Sequence, residues 1–353
     1  MAMIPAACKW SFLPISRIGS LRYERCDDAD AAAALSRANK LMRAGGIRDA
    51  LPLLREALRL CPNHVPTHML YQDKAREVKG DAEVAMRRYY AGLKDNGRRP
   101  LVPFLNARLA KHEVECKDNL NTALRRDSKF VWAHLEMARM RRSVNQPEVA
   151  LKSIKKALRV RRNFVPAMKE IAELYLLLND PERAEPYYKR YLRHRPGDER
   201  AQRAYAWLLI HKMDKPEAAQ PVVELLLRKH PQDLDLQMEI AAIHWRRGRL
   251  DEAIDAYRRV LRREPKNAAA ALNLGDLYFD WKSDGDAAAR DAAWRQARKC
   301  YCYFLSLEDD SRALLLLNRL VAVPYRLEQI ATRLGAEEAG PVRLQDLLGD
   351  PGN

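Results

Sequence analysis

Residues 234–267 read LDLQMEIAAIHWRRGRLDEAIDAYRRVLRREPKN, and the spacing within this stretch decides the fold. Ala253, Tyr257 and Val260 follow one another at steps of four and three residues, which places them on one face of a helix. Pro265 then ends that helix, because proline lacks the backbone N–H that a continuing helix needs. The glycine in the middle of the stretch marks a turn. The stretch therefore predicts two helices joined by a short turn.

The same pattern recurs along the chain. The clearest copies are residues 31–64, 165–198 and 234–267. A small residue in the first helix repeats at steps of 34, 34, 35 and 34 residues, at Ala138, Ala172, Ala206, Ala241 and Gly275. A small residue there lets the partner helix approach closely, and a large residue on the second helix fills the space beside it. Each copy is therefore one packed helix pair.

These residues resemble the tetratricopeptide repeat family, whose pattern has a small residue in the first helix, a glycine or asparagine turn, and an alanine and a proline at the two ends of the second helix. The resemblance covers roughly residues 31–310. It implies an all-α fold: a right-handed superhelical solenoid of stacked antiparallel helix pairs, with about eight units and a C-terminal capping helix.

The domain boundaries follow from where the pattern weakens. Residues 1–30 are expected to be a poorly ordered tail, and the repeats then occupy 31–310. Within them 66–130 is degenerate, since Asp73 replaces the small residue of one unit, and the last unit carries an insertion near 282–291. The sequence predicts capping helices over 311–334, broken at Pro324, and a C-terminal tail over 335–353.

The composition fits a folded protein with an excess of positive charge. Of its 353 residues, 47% are apolar and 31% are charged, and lysine and arginine exceed acidic residues by 63 to 47, a net charge of +16. Such an excess favours acidic partners. Basic residues interrupt every apolar segment, so the sequence predicts no transmembrane segment. A cytoplasmic protein is the expectation, with an organellar or membrane-associated location through the N-terminal tail as the alternatives.

The six cysteines form no CxxC pair, so we expect neither a zinc site nor a disulfide framework, and a reducing compartment fits this usage. The sequence also lacks HExxH, GxxxxGK[ST], GxGxxG and GxSxG motifs. His64 and His68 are four residues apart, but Pro66 between them indicates a helix start rather than a metal site. We therefore expect no catalysis, no cofactor and no metal.

The family pattern implies that the first helices line the concave groove. If groove positions fall one, four, eight and eleven residues after each repeat start, the middle units present cationic and aromatic side chains. These candidate partner-binding residues are Trp132, Arg139, Arg142, Lys169, Arg200, Arg203, Trp207 and Trp245. Such a surface pairs with carboxylates or phosphates and offers apolar area. The alternative is that the tryptophans pack between neighbouring units.

Three functions remain open from the sequence. The first is a non-catalytic interaction scaffold that binds a segment of an acidic partner protein in the concave groove. The second is RNA or other nucleic-acid binding through the basic surface, which the arginine-rich ends of the second helices favour. The third is a repeat subunit of an envelope, secretion or glycan-export assembly. The sequence leaves the oligomeric state open.

Overall fold

The computed structural model describes residues 23–95, 97–281, 286–307, 317–334 and 343–348, and over these residues the chain is helical without strands. The chain divides into two compact units, Met1–Tyr191 and Leu192–Asn353. The prediction of an all-α fold built from consecutive helix pairs is confirmed.

Eighteen helices occur in the described residues. They are α1 (Ala29–Arg43), α2 (Ile47–Leu60), α3 (Val65–Val78), α4 (Gly80–Ala91), α5 (Leu101–Leu109), α6 (Glu113–Arg126), α7 (Val131–Ser143), α8 (Pro147–Val160), α9 (Val165–Leu177), α10 (Pro181–His194), α11 (Glu199–His211), α12 (Pro216–Lys229), α13 (Leu234–Arg246), α14 (Leu250–Arg263), α15 (Ala268–Phe279), α16 (Ala287–Ser306), α17 (Leu317–Leu334) and α18 (Leu344–Leu348).

Packing follows chain order within each unit. In the N-terminal unit each helix from α1 to α8 packs against the next, and in the C-terminal unit the same holds from α11 to α16. The odd-numbered helices, which are the first members of each pair, also contact one another: α3 with α5, α5 with α7, α7 with α9, and α11 with α13. First helices therefore adjoin one another from α3 to α9 in the N-terminal unit, and α11 adjoins α13 in the C-terminal unit.

The interlock of small and large residues forms the core. Ala150 and Ala184, the small residues that open two second helices, are fully buried, and so are the large residues Tyr188 and Tyr257 further along such helices. Burial of aromatic side chains supplies much of the stabilisation of a helix pair, because each removes a large apolar area from water.

The N-terminal end differs from the predicted tail over 1–30. Residues 1–22 lie outside the described residues, but Tyr23 is buried and α1 starts at Ala29, capped by the Asp28 carboxylate, which accepts from the Ala31 N–H at 2.9 Å. The Tyr23 ring meets Phe130 edge-on with centroids 5.0 Å apart. The segment before the first helix is therefore packed onto the N-terminal unit.

A disulfide joins Cys26 to Cys61, with Cα atoms 5.7 Å apart, so the prediction of no disulfide was wrong. The reason is tertiary: the segment before α1 lies beside the end of α2, where the Val65 N–H donates to the Tyr23 carbonyl at 2.8 Å. The inference of a reducing compartment loses its basis with this bond. Cys116, Cys300 and Cys302 are free thiols.

The helices at the C-terminal end also differ in detail from those that the sequence predicts. α17 continues through Pro324, so the predicted break at this residue is wrong. One proline removes a single hydrogen bond, and a helix can continue through it. α16 has 20 residues against the 14 of α14, so part of the predicted insertion lengthens the second helix. Residues 282–285, 308–316, 335–342 and 349–353 lie outside the described residues.

Residues 343–348 fall within the predicted C-terminal tail, and part of that segment is helical. α18 packs on α14 and α16, and its Leu347 is buried. The Arg258 guanidinium on α14 donates to the Leu347 carbonyl at 3.0 Å. The last described segment is therefore part of the C-terminal unit.

Candidate functional site

The predicted partner-binding residues divide between the two units. Trp132, Arg139, Arg142 and Lys169 lie in the N-terminal unit, and the other four lie in the C-terminal unit. Each group is described within its own unit below.

Trp132 on α7 is a packing residue in this structure. Its side chain is 5% exposed and meets the Phe164 ring edge-on, with centroids 4.8 Å apart. Its indole N–H is buried, and among the described residues it has no hydrogen-bond partner. Trp132 therefore follows the alternative prediction, in which the tryptophans pack between neighbouring repeat units.

Arg108 on α5 is the centre of a network of ion pairs that the sequence analysis missed. Its side chain is 4% exposed, and its guanidinium pairs with Asp73 on α3 at 2.7 Å and with Glu136 on α7 at 2.9 Å. The Gln72 side-chain carbonyl accepts a third hydrogen bond at 2.8 Å. A buried guanidinium is stable only when paired and fully hydrogen-bonded, and three neighbours on two helices supply those bonds.

The network continues to the arginines predicted to bind a partner. Arg139 pairs with Glu136 at 3.4 Å and with Glu170 on α9 at 3.2 Å. Arg142 pairs with Glu170 at 2.7 Å and with Glu173 at 3.1 Å. Burial lowers the pKa of Arg139, but Glu136 and Glu170 outweigh it and the pKa is raised overall, so the guanidinium stays charged.

We call the series Asp73, Arg108, Glu136, Arg139, Glu170, Arg142 and Glu173 the charge ladder. It crosses four successive first helices of the N-terminal unit and alternates in sign, so its arginines are neutralised within the chain. A sequence signal existed: Glu136 and Glu170 stand 34 residues apart, at the same position of successive repeats.

Three other predicted partner-binding residues lie outside the charge ladder, and each has different neighbours. The Lys169 ammonium lies 5.6 Å from the centroid of the Tyr191 ring. Trp245 on α13 is partly buried against the core cluster of the C-terminal unit. Arg200 at the start of α11 is exposed, and it makes no ion pair within the part of the chain that the structure describes.

The structure brings Arg203 and Trp207 together at a cleft of about 460 Å³ in the C-terminal unit. Both are on α11, and Asp235, Met238 and Glu239 on α13 form the opposite wall. Trp207 is 41% exposed, which is unusual for so large an aromatic residue. The remaining lining residues are Ala204, Ala206, Val223, Leu236, Asn267 and Ala269.

Two ionic contacts set the charge of this cleft. The Asp233 carboxylate pairs with the Arg203 guanidinium and also caps α13, accepting from the Leu236 N–H at 3.1 Å. Burial raises the pKa of Asp233, but the bonds from Arg203 and Leu236 outweigh it and the pKa is lowered overall. Across the cleft, Glu239 Oε2 lies 2.8 Å from Nε2 of His211, and that nitrogen donates to it.

Within the described ranges, no helix combines the length and the apolar character that crossing a membrane requires. The same residues hold no group of three or more histidine, cysteine or acidic side chains arranged to bind a metal ion. His68 lies in the core instead, with Nε2 donating to the Pro62 carbonyl at 2.9 Å and Nδ1 3.1 Å from the Tyr90 hydroxyl.

Comparison with known protein families finds a match over the middle of the chain. The model described as "Tetratricopeptide repeat" matches residues 135–199, 169–234, 212–265 and 238–299. Among curated proteins, none matches this chain.

Several solved structures are similar to the chain at low identity. MamA 41-end from Desulfovibrio magneticus RS-1 has a TM-score of 0.43 at 18% identity, over 51% of this chain and 96% of that one. YrrB, titled a TPR protein with an unusual peptide-binding site, has a TM-score of 0.44 at 19% identity, over 57% and 96%. A tetratricopeptide repeat protein from Parabacteroides merdae has a TM-score of 0.45 at 16% identity, over 67% and 91%.

Proposed function

Because this chain belongs to the tetratricopeptide repeat family, we propose that it is a non-catalytic scaffold that binds a segment of a partner protein. The family provides interaction scaffolds in general. The bound segment lies against the first-helix face of the C-terminal unit, in the cleft between α11 and α13. The observation that carries this proposal is the exposed Trp207 in that cleft.

An exposed tryptophan in a concave site favours binding. The cleft walls come from helices whose own packing fixes them, so a bound segment would lose entropy but the site would not. Tryptophan and arginine are the residue types that most often dominate binding energy at protein interfaces, and Arg203 and Trp207 lie one helical turn apart. These features support a segment-binding site in this unit.

The charge of the chain supports a partner that is acidic over its length. The excess of basic residues gives a net charge of +16, which attracts acidic proteins over distances longer than a contact. Arg200, one turn before Arg203, is exposed and available to such a partner. Trp207 of the C-terminal unit is exposed whereas Trp132 of the N-terminal unit is buried, so the proposal places the binding residues in the C-terminal unit.

Affinity capture with matched variants tests the scaffold. The cleft variant carries Arg200→Ala, Arg203→Ala and Trp207→Ala, and the control carries Arg259→Ala, Arg262→Ala and Leu225→Ala, which remove two exposed arginines and an exposed leucine elsewhere in the same unit. Quantitative mass spectrometry of partners captured from the native host should show loss with the cleft variant only. Equal recovery with both variants would exclude the cleft, provided that circular dichroism shows both are helical.

Nucleic-acid binding is a second candidate, favoured by the exposed cations of α8. Lys152, Lys156 and Arg159 are exposed on this helix, and Arg162 follows it. Fluorescence anisotropy with a labelled single-stranded RNA across a salt series tests it, because counterion release makes such binding weaken steeply with salt. Absence of binding at low salt would exclude this function.

A further inference from the structure

The cleft of the C-terminal unit carries more negative than positive charge once its internal pairs are counted. Arg203 is the one basic residue among those that line it, and Asp233 neutralises its charge. Asp235 is exposed, and among the described residues its carboxylate forms no ion pair. Within the described residues, Glu239 is ion-paired with His211 alone, and the His211 ring carries a charge only when protonated. The α13 wall therefore presents two carboxylates to a ligand.

The aromatic wall of the cleft suits a cation. The Trp207 indole already contacts one cation of its own chain, since the Lys212 ammonium lies 5.8 Å from the ring centroid. Lys212 is not among the residues that line the cleft, whereas Trp207 is, so part of the exposed indole faces the cleft without that lysine. A cation near an indole face is attracted by the electron-rich ring, most strongly for tryptophan.

The floor of the cleft is apolar. Leu236, Met238 and Val223 line it together with three alanines, and Met238 packs against the core cluster. Lysine and arginine have long aliphatic stems that cover apolar surface while the charged end reaches polar groups. The unbranched, flexible Met238 side chain adapts to such a stem.

We propose that this cleft is an anchor site for one cationic side chain, arginine or lysine, of the bound segment, with the charge held between Trp207 and the carboxylates of Asp235 and Glu239. This inference rests on the proposed scaffold function and names the residue that the segment inserts. A partner that is acidic over its length still presents a single basic residue at this point. The anchor is a local feature, whereas the attraction by the net charge acts on the whole partner.

Four short peptides test the anchor directly. They are acetylated and amidated Ser-Ala-Xaa-Ala-Ser-Ala sequences with arginine, citrulline, leucine or glutamate at Xaa. Each is titrated into the full-length protein while the indole resonance of Trp207 is followed by NMR. We expect the arginine peptide to shift this resonance and to bind about five-fold more tightly than the citrulline peptide, which has the same shape without charge. Equal or tighter binding of the citrulline or glutamate peptide would overturn the anchor.

Charge-removing variants connect the preference to its residues. The variant Asp235→Asn with Glu239→Gln should lose the preference for arginine over citrulline, while Asp251→Asn with Glu252→Gln, two exposed acids on α14, should keep it. A preference that survives in the first variant contradicts the proposal. If partner capture depends on Trp207 but is unaffected in the Asp235 and Glu239 variant, the anchor is wrong and the scaffold function stands. If capture is independent of both, the scaffold function fails as well.

Discussion

Gly275 on α15 lies directly against the Tyr301 ring on α16. A Cβ atom placed on Gly275 would be 2.7 Å from Cε1 and 2.9 Å from Cδ1 of Tyr301, and 3.2 Å from Cβ of Cys300. The Tyr301 hydroxyl donates to Oδ1 of Asp276, the next residue along, at 3.0 Å. The ring is therefore fixed at both its edge and its hydroxyl, and it cannot move away from an added methyl group.

Gly275→Ala should destabilise the C-terminal unit by about 1–3 kcal/mol, because the methyl overpacks a site whose neighbours are held in place. Within a helix, alanine is otherwise the better residue, so the sign of the change reports the clash. Urea denaturation followed by circular dichroism measures it. Gly197→Ala is the matched control, since a Cβ on Gly197 would meet nothing within 4 Å. A Gly275→Ala protein as stable as the wild type would contradict the interlock.

Reduction of the Cys26–Cys61 disulfide should lower the unfolding free energy of the N-terminal unit by about 2–4 kcal/mol, because the bond closes a long loop and restricts the unfolded chain. Thermal denaturation with and without dithiothreitol measures the effect. The double variant Cys26→Ser, Cys61→Ser should be insensitive to the reductant. Alkylation followed by mass spectrometry should count two more reactive thiols after reduction than before it, and an equal count would show that the bond does not form.

Arg108→Ala should destabilise the N-terminal unit by about 3–5 kcal/mol, because it leaves the largely buried carboxylate of Glu136 with less compensation. Arg59→Ala is the control. Arg59 also pairs with a glutamate, Glu56 at 2.7 Å, but both side chains are exposed. Exposed pairs contribute at most about 1 kcal/mol. Equal effects of the two substitutions in urea denaturation would show that the charge ladder does not stabilise the unit.

His68 should make the N-terminal unit sensitive to acid. Burial lowers its pKa to about 4, although the bond to the Pro62 carbonyl opposes this, and the unfolded value is 6.5. The folded state therefore holds the ring neutral where the unfolded chain binds a proton. This contributes stability above pH 6.5, and about 3 kcal/mol of it is lost as the pH falls toward 4.

The measurement is the unfolding free energy between pH 7 and pH 4. His68→Gln should reduce the dependence on pH and leave a residual part, because burial also lowers the pKa of His64 and His134. An NMR titration of the His68 ring in the folded protein gives an independent value. A midpoint near 6.5 would refute the assignment.

The candidate site was only partly predictable. Arg203 and Trp207 were identified from their repeat positions and do line one cleft. Arg139 and Arg142 have the same sequence signal, yet both are ion-paired. Their partners are Glu136, Glu170 and Glu173. The position of a residue in its repeat indicates which face of the helix it lies on. Whether its charge is available to a partner depends on the side chains that the adjacent helix pair places beside it.

The sequence by itself determined the helix pairs, because the 34-residue period and the alternation of small and large residues act within a pair of neighbouring helices, where spacing along the chain fixes contact. The tertiary structure alone decided the disulfide, the charge ladder and the balance of charge in the cleft. Cys26 and Cys61 are 35 residues apart, and Arg139 and Glu170 are 31 apart. Contacts at such separations exist only after successive pairs have stacked, because stacking sets which side chains of adjoining repeats meet.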